Sequence, residues 1–374
     1  MSESRLPFTR TVQDLPAATP FVGPETLQRQ RGAPFRARLG ANESAFGVSP
    51  KAEAAMREAT ATISWYGDAE SWELKQALAD HHGVSTDEIV IGAGIDGLLG
   101  VLVRACVTPG GPDGGTPVVT SAGAYPTFNY HVNGFGGRLE FVPFKDDRED
   151  WPALVERAQA VDAPLVYFSN PDNPMGTWWS AAEVEQLIAS IPDGRILVLD
   201  EAYADFAPAD AIPPIDASNP RVVRMRTFSK AHGMAGARIA YAIAHKEIVT
   251  AFNKIRNHFE VNRVAQAGAL ASLRDQAFIR RVVEEVERGR QDYYETAERL
   301  GLKAIPSATN FVAIDMGRDG DYARAILKEL QQDGVFIRMP GVAPLDRCIR
   351  VSVGRPEERR IFDAALQTAM QRLG

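Results

Sequence analysis

Residues 165–203 read LVYFSNPDNPMGTWWSAAEVEQLIASIPDGRILVLDEAY. Leu165–Ser169 is a near-continuous apolar run of strand length, the pattern of a strand covered on both faces. The Asn-Pro pairs that follow make a stiff turn. Ser180 then stands where a helix N-cap belongs, and Glu183 completes a capping box ahead of an apolar pattern that lasts to Ile191. Ile196–Leu199 returns to a continuous apolar run. Strand, helix and buried strand in succession imply a largely parallel sheet with helices on both faces.

The same alternation extends in both directions. Glu88–Ile91, Pro117–Thr120 and Leu139–Val142 read as strands upstream, and Val222–Met225 and Ile239–Ala244 downstream, with helix-like stretches between several of them. The fold class is therefore α/β, a large domain with a mostly parallel sheet flanked by helices. After Ala244 the pattern changes. Helical stretches near 246–257 and 262–273 lead to a long amphipathic one from Asp275 to about Leu300. Asn310–Asp315, a helix near 321–332, Val335–Ile337, Ile349–Val353 and a final helix from Pro356 then describe a smaller α+β unit. Residues 1–40, punctuated by Pro7, Pro16, Pro20, Pro24 and Pro34, read as an arm laid over another surface. The plan is an arm (1–40), a large domain (41–274) and a small C-terminal domain (275–374) that the N-terminal segment can join, with the long helix as a hinge-bearing connector. No fixed-period repeat or low-complexity tract interrupts it.

Composition narrows the function classes. A chain of 374 residues with 45% hydrophobic and 24% charged residues has material for two or three domains and a large core. Lys and Arg total 41 against 48 Asp and Glu, a net charge of −7, which argues against a chain-wide footprint for nucleic acid or anionic membrane. Two cysteines, Cys106 and Cys348, make no disulfide framework and read as small core residues of a reduced, cytoplasmic protein. Met1–Arg10 has no apolar secretory core, and Arg104 closes the best apolar run, Leu98–Val103, far short of a membrane span.

Four segments carry candidate chemistry. Ile91-Gly92-Ala93-Gly94-Ile95-Asp96-Gly97 follows a strand and opens a helix, so its amides and the helix dipole suit an anion, although taken alone it is a glycine-rich turn. Its spacing is neither the dinucleotide fingerprint nor a P-loop. Ser169–Gly176 closes one strand. Asp200-Glu201-Ala202-Tyr203 puts a carboxylate at the carboxyl end of another, the edge where open α/β sheets bind ligands. Lys230 lies between an apolar strand and a glycine-broken segment, an uncommon place for a side chain that prefers solvent. No cluster reads as a metal site.

In order and spacing, the chain resembles the fold-type I pyridoxal-phosphate-dependent aminotransferases, and among them the histidinol-phosphate aminotransferase group. The resemblance runs from about Pro20 to the C-terminus. Its sharpest motifs are Asn-Pro-x-Asn-Pro-x-Gly, Asp-Glu-Ala-Tyr, and Ser229-Lys230 with Arg238 eight residues after the lysine. It implies that Lys230 forms the Schiff base with the cofactor aldehyde and then moves a proton between Cα and the cofactor's C4′. Asp200 is implied to pair with the pyridine nitrogen, Asn173 and Tyr203 to bond the phenolic oxygen, and Tyr125 to stack on the ring. The phosphate is implied to lie on backbone groups of Ile95, Asp96 and Gly97, opposite Ser229 and Arg238. Tyr66 matches a tyrosine that reaches the phosphate from the neighbouring subunit, so the resemblance implies a homodimer with shared sites. For the substrate, Arg350 matches the arginine that grips the anionic group and Arg338 a second arginine associated with phosphate-bearing substrates. Asn42, Asn310 and Phe21 match further pocket positions.

The implied reaction is transamination of histidinol phosphate or a related aromatic amino acid, with 2-oxoglutarate and glutamate as the partner pair. The chain departs from the pattern at Ile95-Asp96-Gly97, where small-Asp-Glu is usual, and at Pro20-Phe21, where the family has Pro-Tyr and the hydroxyl helps hold the substrate phosphate. Trp178-Trp179 and His232 are also unusual. These departures keep two alternatives open: an aromatic amino acid aminotransferase without phosphate preference, and a decarboxylase of a phosphorylated amino acid on the same scaffold. A non-catalytic cofactor-binding regulator is disfavoured by Lys230 and by the lack of a recognisable DNA-binding segment.

Overall fold

The computed structural model of the protein describes residues 6–17, 22–110 and 114–374. Twelve strands lie in these segments: β1 (Ala37–Arg38), β2 (Ile89–Gly92), β3 (Pro117–Ser121), β4 (Arg138–Val142), β5 (Leu165–Ser169), β6 (Ile196–Asp200), β7 (Val222–Thr227), β8 (Ala240–Ala244), β9 (Lys303–Ala304), β10 (Phe311–Asp315), β11 (Val335–Phe336) and β12 (Cys348–Ser352). Seven of them form one sheet in the order β2-β8-β7-β6-β5-β3-β4. All pairs from β7 through β4 are parallel, and only β8 runs against its neighbours. Every residue of β2, β5 and β8 is buried, which is why these strands read as unbroken apolar runs rather than alternating ones.

Side-chain alternation assigns the two faces. Val90, Tyr167, Val198, Ala240 and Ala242 pack on one side against helices Gly94–Cys106, Pro126–Gly134 and Lys246–Ile255. Val166, Phe168, Leu197 and Leu199 pack on the other, against helices Trp151–Ala160 and Ala181–Ser190. The capping box at Ser180 and Glu183 forms as the spacing predicts, the Ser180 amide donating to the Glu183 carboxylate at 3.0 Å. Glu88, in contrast, belongs to a short 3-10 turn, Thr86–Glu88, because Ser85 and Glu88 cap each other and draw it out of β2.

The C-terminal unit holds an antiparallel sheet, β12-β10-β9, and the long helix Gln276–Arg299, which buries Phe278, Val282, Val286 and Tyr293 against it. Residues 37–39 join this unit. β1 pairs in parallel with β11, Leu39 donates to the Phe336 carbonyl at 2.7 Å, and Ser352 donates to the Leu39 carbonyl at 2.8 Å. Gly40 continues this close approach, since a Cβ there would lie 2.7 Å from the Phe336 ring. Arg347 ties the two units together, bonding Asp315 at 2.7 Å and Asp147, in the loop after β4, at 2.8 Å.

Candidate active site

The parallel strands point their carboxyl ends at one edge of the sheet, where ligands bind in open α/β folds. Asp200 ends β6. The turn carrying Asn173 leaves β5, Ser229 and Lys230 follow β7, the helix from Gly94 follows β2, and Tyr125 follows β3. Topology alone therefore gathers residues from five separate segments.

The Lys230 amine is partly buried, donates to the Asn42 carbonyl at 3.1 Å and sits 5.6 Å from the centre of the Tyr203 ring. Burial, with the Arg350 guanidinium adding repulsion, holds it down to about 8. An appreciable fraction is then free base near neutral pH, as a group that forms a covalent bond and moves protons requires. Asp200 is 5% exposed, and burial pushes it up to about 6. Its Oδ2 accepts from the Tyr167 hydroxyl at 2.7 Å and its Oδ1 from the Ala202 amide at 2.9 Å. Tyr203, pushed up to about 12 by burial, keeps its proton and accepts from Asn42 Nδ2 at 2.9 Å.

One end of the cleft is shaped for an anion. Helix Gly94–Cys106 opens without a side-chain cap, so its first amides have no partner further up the chain. Arg238 stands across from them with φ of 56°, donating to Asp96 at 3.2 Å and to Ser229 Oγ at 3.5 Å. Gly94 adopts φ of +84°, and a Cβ there would lie 2.4 Å from the Arg238 guanidinium. The Asp96 side chain also accepts from the Tyr125 hydroxyl at 2.9 Å, so it braces both the arginine and the tyrosine.

At the other end Arg350 donates to Asn173 Oδ1 and lies 5.2 Å from the centre of the Phe311 ring, its buried Nε without a partner. Arg338 is its neighbour through paired backbone bonds of 3.2 and 2.7 Å, and donates to the Val22 carbonyl at 2.6 Å. Asn310 donates to the Asn42 carbonyl at 3.1 Å, leaving its own buried oxygen unpaired. Asn42, Asn173, Tyr203, Lys230, Arg350, Arg338 and Asn310 thus lie within one connected set of contacts. Phe21 lies outside the described residues. Tyr66 is 77% exposed, and its contacts are with Phe259, 4.8 Å between ring centres, and with Arg263 rather than with the cradle.

Sequence reasoning missed one partner of this site. Tyr167, which donates to Asp200, reads as one more apolar strand residue. The signal for it was a hydroxylated side chain inside a strand buried on both faces. Glu201 of the Asp-Glu-Ala-Tyr motif instead pairs in the interior with Arg224 and Arg226.

A pyridoxal phosphate suits these residues. The helix N-terminus with Arg238 and Ser229 offers donors that suit a phosphate dianion, the missing Cβ at Gly94 makes room beside the guanidinium, and the buried Asp200 is a carboxylate of the kind that pairs with a cationic ring nitrogen. No group of three or more His, Cys, Asp or Glu side chains able to hold a metal occurs among the described residues, and no helix among them is long and apolar enough to cross a membrane.

Comparison with known proteins agrees with this chemistry. The family model for aminotransferase class I and II matches residues 37–365. The crystal structure of histidinol-phosphate aminotransferase from Sinorhizobium meliloti in complex with pyridoxal-5'-phosphate is 50% identical, covers 100% of both chains and superposes with a TM-score of 0.95. Histidinol-phosphate aminotransferase 2 of Carboxydothermus hydrogenoformans is 32% identical over 97% of this chain and 99% of its own. Histidinol-phosphate aminotransferase 1 of Cupriavidus pinatubonensis is 35% identical over 89% and 88%. The chain belongs to the class I and II aminotransferases. L-threonine-O-3-phosphate decarboxylase from Porphyromonas gingivalis, at 22% identity and a TM-score of 0.75, shares the fold.

Proposed function

We propose that the protein is a pyridoxal-phosphate-dependent aminotransferase that takes the amino group of histidinol phosphate and passes it to 2-oxoglutarate. The observation that carries the substrate assignment is the pair Arg350 and Arg338, fixed side by side by reciprocal backbone bonds at the end of the cleft away from the phosphate cradle. Histidinol phosphate has no carboxylate, so its phosphate takes the place that glutamate's carboxylate takes in the other half-reaction. The Arg350 fork serves either anion, and Arg338 adds the charge that a dianion rewards.

When bound, the cofactor supplies an aldehyde that receives the amino group and a ring that accepts electrons from Cα. The first-turn amides at Ile95, Asp96 and Gly97, with Ser229 and Arg238, would hold its phosphate, and Tyr125 would lie against its ring. Asp200 would keep the proton on the pyridine nitrogen, and Asn173 and Tyr203 would donate to the phenolic oxygen. Lys230 would move the proton between Cα and C4′, and Asn42 orients both Lys230 and Tyr203. Tyr66 serves the neighbouring subunit of a homodimer, a reading supported by its exposure beside Trp65 (69%) and Phe259 (52%). The arm (1–40), the large domain (41–274) and the small domain (275–374) are the corresponding units, and the unpaired thiols of Cys106 and Cys348 suit the cytoplasm.

Borohydride reduction of the loaded protein, followed by peptide mapping, is expected to leave the pyridoxyl group on Lys230; label on another lysine would overturn the assignment. Phe21 favours a second reading, in which aromatic amino acids are substrates too. A lost hydrogen bond to a charged group costs about 1.5–3 kcal/mol, roughly one to two decades in kcat/KM. Activity is therefore expected with histidinol phosphate and also with Phe and Tyr, and Phe21→Tyr is expected to shift the kcat/KM ratio toward the phosphate substrate. An unchanged ratio removes Phe21 from the specificity argument. Release of carbon dioxide without a keto product would establish the decarboxylase instead.

A further inference from the structure

Tyr167 is fully buried in the middle of β5, its ring stacked on Phe128 at 4.8 Å between centres and 20° between planes. Its neighbours on that face of the sheet are Val118, Leu165, Val198 and other apolar side chains, which a phenylalanine would satisfy equally well. The hydroxyl nevertheless has one partner, Asp200 Oδ2, at 2.7 Å. A buried hydroxyl without a partner is costly, and a carboxylate accepts only, so the tyrosine is the donor.

The geometry of Asp200 gives this bond its meaning. One oxygen is held by the Ala202 amide, from the same chain segment. The other is held by Tyr167, from the adjacent strand, whose register places Ser169 opposite Asp200 and Tyr167 opposite Val198. Two donors from two directions remove the carboxylate's freedom to rotate, while each oxygen keeps a lone pair for a further partner. The register of β5 against β6 is buried on both faces and cannot slip without reversing every side chain. Tyr167 is therefore as fixed as the sheet itself.

We propose that Tyr167 is a positioning residue for the transamination, its hydroxyl aiming the Asp200 carboxylate at the pyridine nitrogen of the cofactor. The inference rests on the assignment of Asp200 as the partner of that nitrogen. It acts through Asp200 alone, since the tyrosine lies beneath the aspartate and not in the cleft. Without the hydroxyl, the same carboxylate is free to turn and takes up a proton more readily, so its pairing with a ring cation weakens.

The test compares binding of pyridoxal phosphate with that of its analogue carrying carbon in place of the ring nitrogen, to apo-protein, by equilibrium titration. Wild-type protein is expected to prefer the nitrogen compound. Tyr167→Phe is expected to lose about tenfold or more of that preference, with affinity for the carbon analogue kept within about twofold, and with kcat lowered more than KM for the amino donor is changed. In an Asp200→Ala background, Tyr167→Phe is expected to alter neither affinity. Equal losses for both compounds, or an undiminished preference in Tyr167→Phe, would overturn the proposal in favour of a packing role. No preference in the wild-type protein would overturn the Asp200 assignment itself, and the role of Tyr167 with it.

Discussion

Individual charges in this cleft are governed by the water they have lost. Asp200 is raised from 3.8 to about 6 chiefly by burial, and Lys230 is lowered from 10.5 to about 8 by the same cause. In the apo-protein an acid with a raised folded pKa binds more protons folded than unfolded between those two values. Its contribution to stability therefore falls as pH rises from about 4 to 6. A lysine with a lowered folded pKa does the reverse, so its contribution rises between about pH 8 and 10.5. If Asp200 pairs with the ring nitrogen of the cofactor, binding reverses the demand on it, because a carboxylate must be ionised to form that pair. Affinity for pyridoxal phosphate is expected to climb as pH rises through about 6, measured by titration from pH 5 to 8. Asp200→Asn is expected to flatten this rise to the part due to the cofactor phosphate, and an identical pH profile in both proteins would exclude Asp200 from the pairing. Lys230→Ala is expected to bind the cofactor through its phosphate and ring contacts while turnover falls on the order of 10³-fold or more, checked by steady-state kinetics alongside the binding titration.

The element that does most for the site is the turn from β2 into helix Gly94–Cys106. The Gly-Ala-Gly spelling read by itself as a glycine-rich turn, and φ of +84° at Gly94 is a conformation that glycine alone accepts without strain. What the spelling does not reveal is the guanidinium 2.4 Å from where a Cβ would be. Gly94→Ala is expected to strain the backbone by about 1–2 kcal/mol and to push Arg238 out of the cradle. The expected result is at least about a tenfold weaker cofactor affinity by fluorescence titration, with a loss of only a few degrees in Tm. Unchanged affinity would mean that Arg238 yields and the cradle tolerates the methyl. The capping box at Ser180 and Glu183 forms as the sequence predicts, because its bonds span three residues. Tyr167 escaped notice for the opposite reason. In a strand covered on both faces a tyrosine reads like a phenylalanine, and its hydroxyl acquires a meaning only when β6 arrives beside it.

On the scale of the whole molecule, Ile63 (62% exposed), Trp65 (69%), Tyr66 (77%) and Phe259 (52%) are exposed aromatic and apolar side chains, the composition expected of a contact face. The loop is tied to the body by Arg263, which donates to the Tyr66 carbonyl at 2.6 Å, and by Gln266, which donates to the Asp68 carbonyl at 2.9 Å. If Tyr66 serves the neighbouring site, mixing Tyr66→Phe and Lys230→Ala subunits after gentle dissociation produces heterodimers with one site free of both lesions. Recovered activity in isolated heterodimers is expected, whereas none, with each parent impaired, would assign Tyr66 to its own subunit. Arg347 provides a second molecule-scale contact, linking Asp147 of one unit to Asp315 of the other.

The α/β class, the order of strands and helices, and the chemistry-bearing motifs were written in the sequence by itself, because each depends on residues near one another in the chain. Periodicity shows which strands are covered on both faces, and the spacing of Ser229, Lys230 and Arg238 is a local pattern. The tertiary structure alone decided which distant residues meet: Asn42 between Lys230 and Tyr203, Arg338 beside Arg350 through a backbone bridge, Asp96 between Tyr125 and Arg238, and Tyr167 under Asp200. The pKa shifts belong to the same category. A carboxylate or an amine has its ordinary proton affinity in any sequence, and departs from it here because folding removes its water and supplies charged neighbours that the chain places far away.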